Sequence, residues 1–430
     1  MQNNENNKVC KHKVGGAFGL MLAIVSYRQW QGMTALWTVF LALIVYGTVK
    51  LTGMGLTLQQ VAFAFCGFHL ACLVLLLADM FWPGRLVQPI GWALVGNLVS
   101  LALIPQPNAA LYVAAMVLAS VFSKFAYAPS VARLGVLGRA LGAGARRGTG
   151  MGILLAMICS SLVNAVMGFV AGFVPWLFYW LVAATAVFGL VAFKPRPTRS
   201  NQPVTAKMTP LQRQMFALSW MNNAICMVTR QFLIPMLVLG LLADRAPQWV
   251  MPALGVIVSV STLISLLSSR IDRVPPAKMM LFGVRMMAIA PVLMVGLSSL
   301  ALGGVLSLGT AAVLLLLLVV VEQFVARFWT LGYTNLLMER SKDRVMAMRY
   351  HLTISVSGAA FGFAAAGVAM ATIGFEALVC GAVGLVLIWS LKLERWMGRE
   401  LGTNNNAGGA GGAGVPAGPA VPASPNRERV

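Results

Sequence analysis

The sequence predicts an all-α polytopic membrane protein of twelve transmembrane helices, arranged as two pseudo-symmetric six-helix bundles. Three observations predict it. Only 10% of the 430 residues are charged and 59% are hydrophobic, whereas a soluble domain carries roughly 25% charged residues. The apolar residues gather into twelve runs, each of about the 20 residues that cross a bilayer core. The cations sort to alternate connections: 27 of the 32 Lys and Arg fall on one side, and two, Lys50 and Arg245, on the other. Cytoplasmic loops carry such an excess, so both termini are expected in the cytoplasm, with the protein a multi-pass component of the inner (plasma) membrane. The net charge of +21 follows from this bias, and no nucleic-acid-binding module accompanies it.

Residues 1–27 are expected to form a cytoplasmic N-terminus with a short apolar helix, Val14 to Val25. Its dozen residues are too few to cross alone. Ser26-Tyr27-Arg28-Gln29-Trp30 follows without a small-x-small cleavage site, so the segment is read as retained. The first bundle, 28–193, holds runs at 30–50, 56–78, 86–104, 109–128, 150–172 and 174–193. A polar stretch opening Lys194-Pro195-Arg196-Pro197 makes 194–212 a cytoplasmic central loop. The second bundle, 213–400, holds runs at 213–241, 248–268, 279–300, 306–332, 350–372 and 374–392. Residues 401–430 are rich in Gly, Ala and Pro without apolar periodicity, and are expected to be a disordered cytoplasmic tail.

An internal repeat relates the two bundles. Leu77-Ala78-Asp79 ends the second run as Arg270-Ile271-Asp272-Arg273 ends the eighth. Lys124-Phe125 lies near the inner end of the fourth run as Arg327-Phe328 does in the tenth. Arg146 to Gly152 opens the fifth, and Asp343 to Met348 precedes the eleventh. Repeats of this kind are a signature of secondary transporters.

On these features the chain resembles the major facilitator superfamily over about residues 28–400. That family's loop after the second span reads G-x-L-a-D-R-x-G-R-[KR]. Leu75 to Asp79 fits its start, with Leu75 at the glycine, and Gly84-Arg85 follows after Met80 to Pro83. Ser268 to Arg273 keeps Asp-Arg in the second half. The resemblance implies a cytoplasmic gating role for Asp79, Arg85, Asp272 and Arg273. It also implies a central cavity lined by spans 1, 4, 7 and 10. Antiporters of the family carry R-x-x-q-G in the fourth span, where Lys124-Phe125-Ala126-Tyr127-Ala128 keeps the charge alone. Of their fifth-span glycine motif Gly168 and Gly172 remain, and both allow close helix packing.

Charges inside spans are costly and mark function. Three cations lie at such positions: Lys124 in span 4, Arg230 in span 7 and Arg327 in span 10, where Glu322 also lies. By the resemblance these are cavity-lining spans, and cations there suit a substrate with a carboxylate or phosphate. Lys124 and Arg327 have a second reading, as side chains snorkelling to the interface. Asn222 and Asn223 precede Arg230 and join the candidate substrate and coupling residues. Glu322 and Arg327 point about 140° apart on an ideal helix, so at least one needs a partner elsewhere. Two roles are open to Glu322: a proton carrier if unpaired, or a state-dependent latch if paired with Arg230.

Cys66, His69 and Cys72 lie together on span 2, where core packing is the better reading and a shared soft metal the weak alternative. The six cysteines, at 10, 66, 72, 159, 226 and 380, make no secreted disulfide framework. No nucleophile–base pattern or phosphate loop indicates an enzyme, and no cofactor is called for. The reading is a secondary active transporter, proton-coupled, for a small organic anion or amphipathic metabolite. Drug-like compounds or siderophore and metal-chelate compounds are the alternative substrates, and a transporter-like membrane sensor is the alternative of another class. The expected partners are the lipid bilayer, the small-molecule substrate and protons. The protein is expected to be a monomer that binds no nucleic acid.

Overall fold

The structure, a computed structural model, describes residues 16–82, 84–142, 145–193, 210–244, 246–264, 274–340 and 344–409. Its regular elements are all helical among these residues. In the first half they are α1 (Gly16–Val25), α2 (Arg28–Val45), α3 (Gly47–Gly53), α4 (Leu58–Phe81), α5 (Val87–Leu103), α6 (Ala109–Ala140), α7 (Ala145–Phe173) and α8 (Pro175–Ala192). In the second they are α9 (Pro210–Val228), α10 (Ile234–Leu242), α11 (Val250–Ile264), α12 (Pro276–Leu302), α13 (Leu308–Arg340), α14 (Arg344–Ala371) and α15 (Phe375–Gly409). Nine helices among the described residues are long and apolar enough to cross a membrane, or ten if α2 and α3, bent by 49° at their junction, form one span. The shorter apolar helices Val87–Leu103 and Pro247–Val260 stand where the third and eighth spans are expected.

Local chemistry sets several of the helix starts. Thr57 and Gln60 close a reciprocal capping box on α4, at 3.3 and 2.9 Å. The Asn108 carboxamide accepts from the amides of Ala110 and Leu111 to open α6. Pro175 occupies the first turn of α8, where its missing N–H costs nothing. The short apolar helix expected near the N-terminus is α1, whose Leu20 and Ile24 pack with Trp30, Met33 and Leu134. α15 continues to Gly409, beyond residue 400 where the tail was expected to begin unstructured. No proline interrupts that stretch before Pro416. The rest of the tail and most of the central loop lie outside the described residues.

Between apolar helices in a bilayer, association rests on close van der Waals approach, which small residues permit. Within the first half, α2 lies among α6, α7 and α8. Within the second, Gly358 and Gly362 of α14 sit directly on the carbonyls of Trp220 and Ala224 in α9. The two halves meet along two seams, α4 with α14 and α7 with α11. On the first seam Phe65 stacks on Phe363 at 5.0 Å. On the second, Gly168 lies against Met251 and Gly172 against the carbonyl of Gln248, and Ser259 donates to the Ser161 carbonyl at 2.5 Å. The expected use of Gly168 and Gly172 as close-packing residues is thus realised, with the opposite half as partner. These contacts gather toward the end where α2 finishes and α4 begins, here called the far end. The end where α2 begins and α4 finishes is the near end.

Candidate functional site

The site is built on a break in the seventh span. Pro235 has no N–H to give to the carbonyl of Gln231 four residues earlier, and its ring crowds that turn. The helix responds by widening: residues Thr229–Leu233 form a π-turn, in which the Ile234 amide reaches the Thr229 carbonyl five residues back. Single π-turns inside α-helices are frequent at functional sites. This one carries Arg230.

Arg230 crosses to α13 and meets Glu322. Its Nη2 donates to Oε1 at 2.8 Å, and its Nε donates to Oε1 at 3.0 Å and to Oε2 at 3.4 Å. Glu322 is 1% exposed and the Arg230 side chain 28%. Among the described residues the carboxylate pairs with this one cation, while the Arg230 side chain stays partly exposed. A guanidinium has five N–H donors in a planar fork. Glu322 engages one edge, and among the described residues no hydrogen bond reaches the two N–H groups of Nη1 or the second of Nη2. Of the two roles open to Glu322, the geometry displays the paired one.

The other candidate residues are distributed around this pair. Lys124 lies on α6, half-buried. Asn222 and Asn223 are buried and engaged within their own half. The Cys226 thiol donates to the Asn222 carboxamide at 3.4 Å, and Asn223 donates to the Ser219 carbonyl at 2.7 Å. Neither is brought to Arg230. Ser219 in turn meets the His351 ring at 3.3 Å. The backbone of Arg327 lies on α13, but its side chain is outside the described residues.

Asp79 of the expected gating set crosses the halves at the near end. One oxygen accepts from the Gly84 amide at 3.1 Å, and the other lies 3.8 Å from Arg349 Nη2 at the start of α14. Arg349 was not singled out in the sequence, although its place immediately before the eleventh run was a signal. Arg85 is exposed in the turn after α4, while Asp272 and Arg273 lie outside the described residues.

One sequence expectation, the loop position of Lys50, is corrected. Cys66, His69 and Cys72 do not converge on a metal; among the described residues no group of three His, Cys, Asp or Glu side chains could hold one. Their spacing spreads them around α4, so that His69 turns to Gln231 in the opposite half and Cys72 to the Val117 carbonyl of α6. Lys50 is not a loop residue. It lies in α3 with its ammonium 4.9 Å from the Phe178 ring and 5.2 Å from Tyr179, a cation–π arrangement.

No protein-family model and no curated protein matches the sequence. Solved structures do match the fold. A crystal structure of the nucleoside transporter NupG, in an aspartate-to-alanine variant, aligns with a TM-score of 0.60 at 16% identity, covering 87% of this chain and 99% of that one. A peptide transporter POT, in a glutamate-to-glutamine variant, aligns at 0.58 with 15% identity, over 89% and 96%. A bacterial homologue of the iron transporter ferroportin, in its outward-facing state, aligns at 0.55 with 10% identity, over 86% and 98%. The chain has the major facilitator fold. Within the major facilitator arrangement, Lys124, Arg230 and Glu322 stand on spans 4, 7 and 10, three of the four expected to face the cavity.

Proposed function

We propose that this chain is a secondary active transporter that co-transports a small organic anion or amphipathic metabolite with a proton. The halves 28–193 and 213–400 rock about the central site, with both termini cytoplasmic in the inner membrane. The observation that carries the reading is the division of Arg230, one edge held by a buried carboxylate and the other without a hydrogen bond among the described residues. An incoming anion competes with Glu322 for the guanidinium. Glu322, left without its counter-charge at that depth, is stabilised by taking up a proton. Protonation of Glu322 likewise frees Arg230 for the anion. The two binding events favour each other, which is the thermodynamic condition for symport.

The test uses proteoliposomes holding a pH-sensitive dye and a panel of small mono- and dicarboxylates and phosphate esters. Wild type should acidify or alkalinise the lumen with the anion that it carries. Glu322→Gln should keep anion counterflow and lose the proton movement. Coupling that persists unchanged in Glu322→Gln overturns the proposal. Anion binding with no counterflow in the wild type would instead favour a transporter-like sensor.

A further inference from the structure

The residue next to Arg230 is held from the opposite direction. Gln231 is 4% exposed, and both its backbone and its side chain are bound by the first half. Its carbonyl, the one that Pro235 cannot serve, accepts from the hydroxyl of Thr48. Its side-chain Oε1 lies 3.1 Å from His69 Nε2, while its amide points to the Met227 sulfur at 3.4 Å. That orientation makes His69 Nε2 the donor. His69 is fixed in turn by stacking on Phe363 of α14, with ring centroids 5.4 Å apart.

Thr48 belongs to a matching break in the first span. α2 ends at Val45, and α3 starts at Gly47 on an axis bent by 49°. The residue between them, Tyr46, donates to the Asn164 carbonyl at 2.5 Å. Its hydroxyl fills the space that Cβ atoms at Gly168 of α7 and Gly255 of α11 would need. The break Tyr46–Thr48 therefore plugs the far end twice, once into the α7–α11 seam and once into the π-turn.

We infer that the π-turn Thr229–Leu233 is the element that couples the central ion pair to far-end closure, with Gln231, Thr48 and His69 as its positioning residues. Arg230 and Gln231 share one peptide plane. Arg230 is tied to Glu322 in its own half, and Gln231 to Thr48 and His69 in the other. When an anion or a proton releases Arg230 from Glu322, the turn loses its tie to α13 and is free to rotate. That rotation carries Gln231 away from both of its partners. The inference rests on the alternating-access reading proposed above, but it concerns which bonds transmit the change.

The test reads conformation without transport. The six native cysteines are replaced, and spin labels are placed at Gln106→Cys and Val305→Cys, exposed positions in far-end loops of the two halves. Electron–electron distance measurements then give the fraction open at the far end. Thr48→Val keeps the shape of the buried side chain but leaves the Gln231 carbonyl dry in the closed state. Losing one such neutral hydrogen bond should raise the open-to-closed ratio about tenfold. Thr48→Ser, which keeps the hydroxyl, should hold the parent ratio, separating this effect from misfolding. Pro235→Ala gives the carbonyl a helical N–H and should open the far end in the same direction as Thr48→Val. Glu322→Gln should also raise the ratio, and adding Thr48→Val to it should raise it by less than about twofold more. If Thr48→Val leaves the ratio unchanged while Glu322→Gln raises it, this inference falls and the transport reading stands. Effects that multiply in the double variant overturn the inference as well. If no variant populates a longer far-end distance, alternating access itself is refuted.

Discussion

Stranding Glu322 should cost more than stranding Arg230, and the burial of the two partners sets the difference. Removing one member of a buried, hydrogen-bonded ion pair typically costs about 3–5 kcal/mol, because the survivor is left charged and dry. Arg230→Met imposes that condition in full, since Glu322 is 1% exposed. Glu322→Gln leaves Arg230 with its side chain 28% exposed, and the new amide still accepts a hydrogen bond. Its cost should be about 1–2 kcal/mol. Arg230→Met/Glu322→Leu removes both charges and should recover to within about 1 kcal/mol of wild type, as replacing buried pairs by apolar groups commonly does. Reversible unfolding of bicelle-reconstituted protein by SDS titration gives the three free energies directly. The reasoning fails if Glu322→Gln destabilises as much as Arg230→Met, or if the double variant is less stable than both singles. The double variant should also have lost transport while folding well, because the chemistry of the pair is not needed to hold the helices.

Glycines on the two kinds of helix contact should respond differently to bulk. Gly362→Leu presses α14 off the Ala224 carbonyl inside one half and should lower the unfolding free energy by several kcal/mol. Gly172→Leu presses α7 off the Gln248 carbonyl across the seam, and should shift far-end spin-label distances outward with little loss of stability. At the near end, Asp79→Asn keeps an acceptor for the Gly84 amide and removes the loose 3.8 Å pair with Arg349. It should favour near-end opening about two- to fivefold, the range of a partly exposed ion pair. Labels at Trp82→Cys and Val274→Cys measure it, and Asp79→Asn/Arg349→Ala should shift the distribution no further than Asp79→Asn alone. Zn²⁺ or Cu⁺ added to the purified protein should leave its thermal midpoint where it was, and Cys72→Ser should not change metal content.

What hydropathy and charge could locate was the membrane, and what they could not locate was the helix. The fourth run was read to residue 128, yet α6 continues to Ala140; the tenth was read to 332, yet α13 continues to Arg340. Both extensions carry basic residues that leave the bilayer without leaving the helix. The bend after Val45 was hidden for the opposite reason, because the apolar run passes through Tyr46-Gly47-Thr48 without a polar interruption. The partnership of Arg230 with Glu322 was legible as an alternative, since buried charges have few possible partners and the segment offered one carboxylate. The bonds of Gln231 were not legible. Thr48 and His69 lie 183 and 162 residues away, and a lone Thr, His or Gln in a span carries no sign of the residue that it will meet.

The two breaks stand at equivalent places in the two halves. The bend at Tyr46–Thr48 interrupts span 1, and the π-turn Thr229–Leu233 interrupts span 7. An internal repeat that packs half against half brings equivalent positions of spans 1 and 7 together at the seam. Had both spans been regular, two unbroken helices would meet there, each with its backbone groups satisfied. Instead Gly47 bends one and Pro235 removes a donor from the other, so a carbonyl in span 7 has a vacancy and span 1 offers a hydroxyl. The asymmetry lies in what else each half contributes. Lys124 and Arg327 occupy corresponding places in spans 4 and 10, which makes a cation there part of the repeated architecture. Glu322 has no such counterpart: the stretch before Lys124 reads Val117-Leu118-Ala119. The symmetric elements thus build a joint that can close, and the acid with no counterpart in the other half gives that joint something chemical to respond to.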